Sequence, residues 1–173
     1  FFIVLFFFSV DAKSQLTKGN WLLSGSATFS SLQYGSEASI KYKQTNILVA
    51  PSVGYFLKDK LALGLRPSFI YGSNTYGNTE TIFGIGPFVR YYLLQKDKVF
   101  NLFTEGSYSY GFYKSGTKQN TFSLAGGSVV YFNSSVGLEF IIGYSSTKVV
   151  NFTGHNNELR FGLGFQFSLE KEK

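Results

Sequence analysis

Five charged residues lie within segments that alternate bulky apolar residues with small or polar ones, away from the segment ends, and their side chains are the ones best suited to do chemistry. They are Arg66, Arg90, Glu105, Glu139 and Arg160. Opposite charges are expected to pair in a poorly hydrated interior, because an isolated charge there is costly. Strand alternation places all five side chains on the inner face of a predicted barrel. Their spacing predicts a charge network in the barrel lumen, in which Arg90 pairs with Glu105, and Glu139 with Arg160. Arg66 would complete it with one excess positive charge, supported by Tyr92, Gln166 or water.

Two interpretations of such a network remain open. The first is a structural plug whose ion pairs hold the interior together. The second is a gate whose pairs exchange partners to admit ions.

Catalytic and metal-binding chemistry has little support in the sequence. The single histidine, His155, lies in a segment typical of a solvated turn, and Glu158 is the nearest carboxylate. Cysteine is absent, which removes thiolate catalysis and cysteine-ligated zinc. We therefore expect no enzymatic activity, no metal site and no cofactor.

The charged residues lie on segments in which bulky apolar residues alternate with small or polar ones. The clearest segment spans residues 159–169, where every odd position is Leu or Phe. Side chains along a strand point to opposite faces with a period of two, so this segment has one apolar and one polar face. Seven further segments repeat the pattern within a chain of 173 residues. The sequence predicts one all-β domain, a closed eight-stranded antiparallel up-and-down transmembrane β-barrel.

The distribution of charge decides which face points outward. A barrel wall in water needs many Lys and Glu residues, whereas the polar faces here are mainly Gly, Ser and Thr. Small residues suit the crowded inside of an eight-stranded barrel, and the bulky apolar set suits lipid chains. Gly19-Asn20-Trp21 matches the Gly-x-Trp signal of lipocalins, which keeps a soluble ligand-binding barrel as a minor alternative.

The connections between the predicted strands alternate between short and long. Short turns are expected around residues 58–60, 96–98 and 133–134, and longer loops at 31–45, 72–80, 113–119 and 146–157. Barrels of the outer membrane have short periplasmic turns and longer external loops. This predicts that both mature termini face the periplasm.

Two features fit the strand pattern less simply. Pro51, Pro67 and Pro87 fall inside predicted strands and each lacks a backbone donor, for which local bulges are the expected solution. The sixth strand has small residues on both faces over 125–128, which predicts either a bulge or a close backbone approach.

The first residues resemble an export signal and not a strand. Residues 1–10 are almost wholly apolar, which is the length of a signal-peptide core and too short to span a membrane. No methionine occurs, so the signal looks truncated. We expect residues 1–14 to be a truncated, cleaved signal peptide and 15–173 to be the barrel domain.

The segments 51–56, 61–65 and 86–92 resemble those of the small outer-membrane β-barrel family of Gram-negative bacteria, which is related in architecture to the OmpA membrane domain and to OmpX and is often labelled porin-like. The resemblance implies location in the bacterial outer membrane as a monomer. In the last strand, Gly162, Phe165 and Phe167 resemble the signal read by the outer-membrane assembly machinery, although the chain continues beyond it. The outer-membrane lipid would be a further partner.

The formal charge of +6 does not indicate nucleic-acid binding, because the lysines are scattered over turns and loops. Lysines in the longer loops are instead candidates to contact lipopolysaccharide phosphates. They are Lys41, Lys43, Lys114, Lys118 and Lys148. Eight strands leave an interior just filled by side chains. A structural or surface-interaction role is therefore expected, with a narrow channel for small solutes as the alternative.

Overall fold

The computed structural model describes residues 16–34, 42–96, 98–151 and 153–169. Eight antiparallel strands follow one another around a closed barrel, each paired with its neighbours in the chain, and β8 returns to β1. The strands are β1 Trp21–Tyr34, β2 Tyr42–Lys58, β3 Leu61–Asn74, β4 Thr79–Tyr92, β5 Phe100–Tyr113, β6 Lys118–Tyr131, β7 Val136–Val149 and β8 Asn156–Leu169. No helix in these ranges is long and apolar enough to cross a membrane. The predicted fold class is confirmed.

Alternating side chains give the barrel wall two chemically different surfaces. In β8, for example, Phe161, Leu163 and Phe165 are exposed on the outer surface, whereas Gly164 and Gln166 are buried inside. The outer surface is therefore a broad band of Leu, Ile, Val, Phe and Tyr. A water-soluble lipocalin-like barrel would present polar residues there, so this alternative does not fit.

The connections differ less in length between the two ends of the barrel than the sequence analysis predicted. At the end where β1 begins and β8 ends, here called the terminal end, they span 59–60, 93–99 and 132–135. At the opposite, far end, the strands continue through much of the predicted loops and leave connections at 75–78, 114–117 and 150–155. The predicted contrast in connection length is therefore wrong, because polar Ser, Thr and Asn residues pair through their backbones as well as apolar ones do. The centre of the first loop and residues 1–14 lie outside the described residues.

The three prolines do not introduce bulges. In the β2–β3 ladder, the pairs Val49–Phe69 and Val53–Leu65 share one register on either side of Pro51 and Pro67. The β4–β5 ladder likewise keeps its register across Pro87. The missing donors interrupt the pairing without shifting it, so the predicted bulges are wrong.

In β6, Gly127 shows that the close-approach alternative is the correct one. A Cβ atom on this glycine would lie 2.4 Å from the carbonyl oxygen of Phe140 and 2.6 Å from the Phe103 ring. The β6 pairing with β5 and β7 proceeds without a register shift. Glycine is required here because the neighbouring strand and a lumen aromatic occupy the space of a side chain.

The seam between β1 and β8 differs from the other seams. Its seven pairs run from Trp21–Leu169 to Ala27–Leu163, which is half of each strand. Beyond that point, within the described strands, residues 28–34 pair only with β2 and residues 156–162 only with β7. The barrel is thus fully closed at the terminal end and partly open along one seam at the far end.

Candidate functional site in the barrel lumen

An apolar core closes the lumen at the terminal end. It consists of inward-facing residues from six strands together with one residue of the N-terminal segment, and each is almost fully buried. They are Leu16, Leu22, Phe56, Ala62, Phe88, Tyr92, Phe103, Val129 and Tyr131. Aromatic rings fill most of the space, with the Tyr92 centroid 5.9 Å from those of both Phe56 and Phe103. Among the described residues, this apolar core fills the lumen at the terminal end.

The segment 16–20 covers this core as a short plug. The backbone N–H of Lys60 donates to the Leu16 carbonyl at 2.8 Å, and Gly19 N–H donates to the Phe56 carbonyl at 2.9 Å. Lys18 N–H donates to Asp59 Oδ1 at 2.9 Å. These bonds attach the segment to the β2–β3 turn, and they hold the Leu16 side chain against the core.

A layer of ion pairs lies directly above the apolar core, towards the far end. Arg90 is 1% exposed and lies between two carboxylates. Its Nε donates to Glu105 Oε2 at 2.9 Å, and its Nη1 donates to Glu139 Oε1. Arg90 and Glu105 are register partners on β4 and β5, whereas Glu139 reaches Arg90 across the lumen from β7. The structure thus places Arg90 against Glu105, as expected, and adds Glu139.

Arg66 completes the layer through Glu105. Its Nη1 and Nη2 donate to the two Glu105 oxygens at 2.5 and 2.9 Å, a bidentate arrangement. Both guanidinium groups also face aromatic rings, since Arg66 Cζ lies 4.8 Å from the Phe88 centroid and Arg90 Cζ 4.1 Å from that of Phe103. Two arginines and two glutamates make the layer electrically neutral, so the predicted excess positive charge is wrong.

Arg160 does not belong to this layer, and its predicted pair with Glu139 is wrong. The β7–β8 register places Glu139 opposite Gly164 and Arg160 opposite Gly143. Arg160 therefore lies four residues farther along the barrel, roughly 13 Å at the usual rise per residue. Its Nε donates instead to Glu158 Oε2 at 2.9 Å near the far end.

Neutral hydrogen bonds join the ion layer to the apolar core below it. The Tyr92 hydroxyl donates to Gln166 Oε1 at 2.6 Å, and Gln166 Nε2 donates to the Tyr131 hydroxyl at 3.0 Å. Arg90 Nη1 lies 3.4 Å from the Tyr92 oxygen. The sequence analysis named Tyr92 and Gln166 but missed Tyr131, whose inward orientation was hidden by the weak alternation of its strand.

A cavity of about 190 Å³ occupies the lumen above the ion layer. Its floor is formed by Arg66, Arg90 and the two glutamates, and its wall is mainly Ser, Thr, Gly and Ala. Ser24 and Ser52 form a hydroxyl pair at 2.6 Å, while the buried Ser145 Oγ has no hydrogen-bond partner among the described residues. The cavity is large enough for about six waters at roughly 30 Å³ each.

The remaining predicted site residues lie on the outside or at the far end. Phe165 and Phe167 of the predicted assembly signal are exposed on β8, and Gly162 lines the cavity. The described lysines among the lipopolysaccharide candidates are all exposed and lie at or near the far ends of their strands. They are Lys43, Lys114, Lys118 and Lys148. Lys41 lies outside the described residues.

Comparison with known structures shows the same fold in outer-membrane proteins. Neisserial surface protein A covers 87% of this chain and 97% of its own, with a TM-score of 0.58 and 12% identity. OprG from Pseudomonas aeruginosa covers 92% and 100%, with a TM-score of 0.56 and 11% identity. The N-terminal barrel domain of OprF from the same species covers 88% and 98%, with a TM-score of 0.51 and 11% identity. No protein-family model and no curated protein matches the sequence.

Proposed function

We propose that this chain is an integral protein of the bacterial outer membrane with a structural or surface-interaction role. The outer surface carries bulky apolar side chains around the whole barrel, where water would favour Lys and Glu. Aromatic residues such as Trp21, Tyr55 and Tyr91 lie near the terminal end, where an interfacial girdle is expected. The shared fold with outer-membrane barrels supports the same location.

The closed terminal end is the observation that favours a structural role over transport. A solute entering from the far end would meet the neutral ion layer, then the aromatic core and then the segment 16–20. Passage would require these buried groups to separate at the same time. The ion layer, the apolar core and the segment 16–20 thus close the terminal end, and together they are called the base of the barrel.

Conductance in planar bilayers tests this role against the narrow-channel alternative. The wild-type protein is expected to give no stable open levels. A Phe56→Ala/Phe103→Ala variant removes two aromatic rings from the base and is expected to conduct. Phe83→Ala on the outer surface is the matched control and should remain silent. Stable open levels in the wild-type protein would establish the channel and overturn the structural role.

The terminal end is proposed to face the periplasm. Apolar residues continue almost to the connections at this end, whereas polar residues dominate the strand ends at the far end, as in Gly72-Ser73-Asn74 and Thr79-Glu80. Long polar extensions suit the external side of an outer-membrane barrel.

Because the chain has no cysteine, single introduced cysteines can report the orientation. An impermeant maleimide should label Ser115→Cys in intact cells and Ser135→Cys only after permeabilisation; the reverse pattern would invert the topology.

In this orientation the four described lysines at the far end would meet the outer leaflet. Lipopolysaccharide carries phosphates there, and each exposed contact would contribute up to about 1 kcal/mol. Charge-removing variants of the four lysines should reduce lipopolysaccharide retention during purification without changing the yield of folded barrel.

We also propose that Gly162, Phe165 and Phe167 guide β8 to the assembly machinery, and that the mature protein is a monomer.

A further inference from the structure

The half-paired seam between β1 and β8 opens the cavity sideways. If the register of the paired half continued, Thr28 would face Gly162 and Phe29 would face Phe161. Both strands therefore have residues available for pairing, so strand stagger does not explain the opening. The cavity lining reaches both edges, with Thr28 on one side and Arg160 to Gly162 on the other. We call this opening the β1–β8 window.

The edges of the window carry the most exposed large apolar side chains of the described barrel. Phe29 is 69% exposed and Phe161 is 66% exposed, and neither has a pairing partner across the β1–β8 seam. They lie at the far margin of the apolar band, where lipid chains meet headgroups. Unpaired backbone groups do not persist against lipid chains unless a polar partner or water satisfies them. The window is therefore suited to a molecule that is polar on one side and apolar on the other.

The inner side of the window offers donors to an anion. Arg160 Nε is bound to Glu158, and both side chains are substantially exposed, at 36% and 61%, so this ion pair is weak. The two Nη groups of Arg160 have no further partner among the described residues. Ser145, register partner of Glu158, adds a buried hydroxyl that lines the cavity without a hydrogen-bond partner. These groups lie within one cavity directly behind the window.

The size of the cavity and the charge of the far end restrict the ligand further. A volume of about 190 Å³ is below the usual range for whole ligands, so it holds a small headgroup and not a long chain. Among described residues the far end has Lys43, Lys114, Lys118, Lys148 and Arg160 against Glu80 and Glu158. This excess of positive charge favours an anionic headgroup.

We propose that the β1–β8 window binds a single-chain anionic amphiphile of the fatty-acid class. Its carboxylate lies in the cavity against Arg160 and the nearby hydroxyls. Its alkyl chain leaves through the window between Phe29 and Phe161 and lies along the outer surface among the lipids. This binding needs no passage through the base, so it is independent of whether the barrel conducts.

Native mass spectrometry of the barrel in neutral maltoside detergent tests the proposal, with dodecanoate as the probe. One dodecanoate is expected to bind per barrel, at least tenfold more tightly than dodecanol or acetate, because both the charge and the chain contribute. Arg160→Gln should lower the affinity for dodecanoate at least tenfold. Glu158→Gln should raise this affinity at least threefold, because it frees the guanidinium of Arg160. Lys114→Gln, which removes the same charge elsewhere at the far end, should change the affinity less than twofold.

Closure of the window provides an independent test. Oxidation of Thr28→Cys/Gly162→Cys should abolish dodecanoate binding, and reduction should restore it. The matched control Ala27→Cys/Leu163→Cys joins register partners in the paired half and should bind normally when oxidised. Equal binding of dodecanol, or an unchanged affinity in both Arg160→Gln and Glu158→Gln, would overturn the proposal. Disulfide-linked dimers through Thr28→Cys would show that the open edges pair with a second copy instead.

Discussion

Substitution of Glu139 by Gln tests the ion layer most directly. In the wild-type layer two guanidinium groups face two carboxylates, and both Arg90 and Glu139 are 1% exposed. Glu139→Gln keeps the side-chain size but leaves Arg66 and Arg90 to share the single charge of Glu105. Removing one partner of a buried pair costs about 3 to 5 kcal/mol, because the remaining charge is uncompensated. We expect a loss near the lower limit, since the amide oxygen still accepts a hydrogen bond.

The assay is reversible urea unfolding in lipid vesicles, followed by the fluorescence of Trp21, the single tryptophan. Glu158→Gln is the matched control, because it breaks the exposed pair with Arg160 and should cost less than about 1 kcal/mol. The double variant Arg66→Gln/Glu139→Gln restores neutrality around Arg90 and Glu105. It should therefore be less destabilised than the sum of its two single variants. Equal losses in Glu139→Gln and Glu158→Gln would refute the buried charge network.

Three further outcomes follow from other parts of the barrel. Gly64→Ala should destabilise the barrel by about 1 to 3 kcal/mol in the same urea assay, because a Cβ would lie 2.2 Å from the Val53 oxygen. Gly106→Ala is the control and should be nearly neutral, because its Cβ would lie 3.8 Å from the nearest atoms. Leu16→Ala should cost about 2 kcal/mol and accelerate hydrogen exchange of the Lys60 amide, measured by NMR. The bonds from Lys18 and Lys96 hold the pKa of Asp59 below its usual 3.8, so their stabilisation is present above that pH and is lost as the pH falls below it. Asp59→Asn should remove that part of the acid sensitivity; identical acid profiles in melting experiments would contradict this role.

The sequence was sufficient to predict the barrel because strand alternation is a local property. Each strand shows its two faces within ten residues, and the inward position of Glu139 follows from its own neighbours alone. Strand ends were harder to place, because backbone pairing continues through polar residues such as Ser73 and Thr79. The boundary of the apolar band was therefore mistaken for the boundary of the strands.

The pairing within the lumen depends on stagger, which no single strand reveals. Arg90 and Glu105 could be matched because they lie on strands that are consecutive in the chain. The contact between Arg90 and Glu139 crosses the lumen, and the position of Arg160 depends on the β7–β8 register. The half-paired seam joins the first and last strands, whose relative position is fixed only when the barrel closes.

The concentration of buried contacts at the terminal end makes the two ends of the barrel unequal in their tolerance of sequence change. Substitution in the base disturbs buried rings, ion pairs or hydrogen bonds. Positions at the rim, such as Thr79 and Asn156, expose their side chains and pair through the backbone. Their side chains can change without loss of the barrel. One folded scaffold can therefore carry many different rims, so that surface properties can evolve separately from folding.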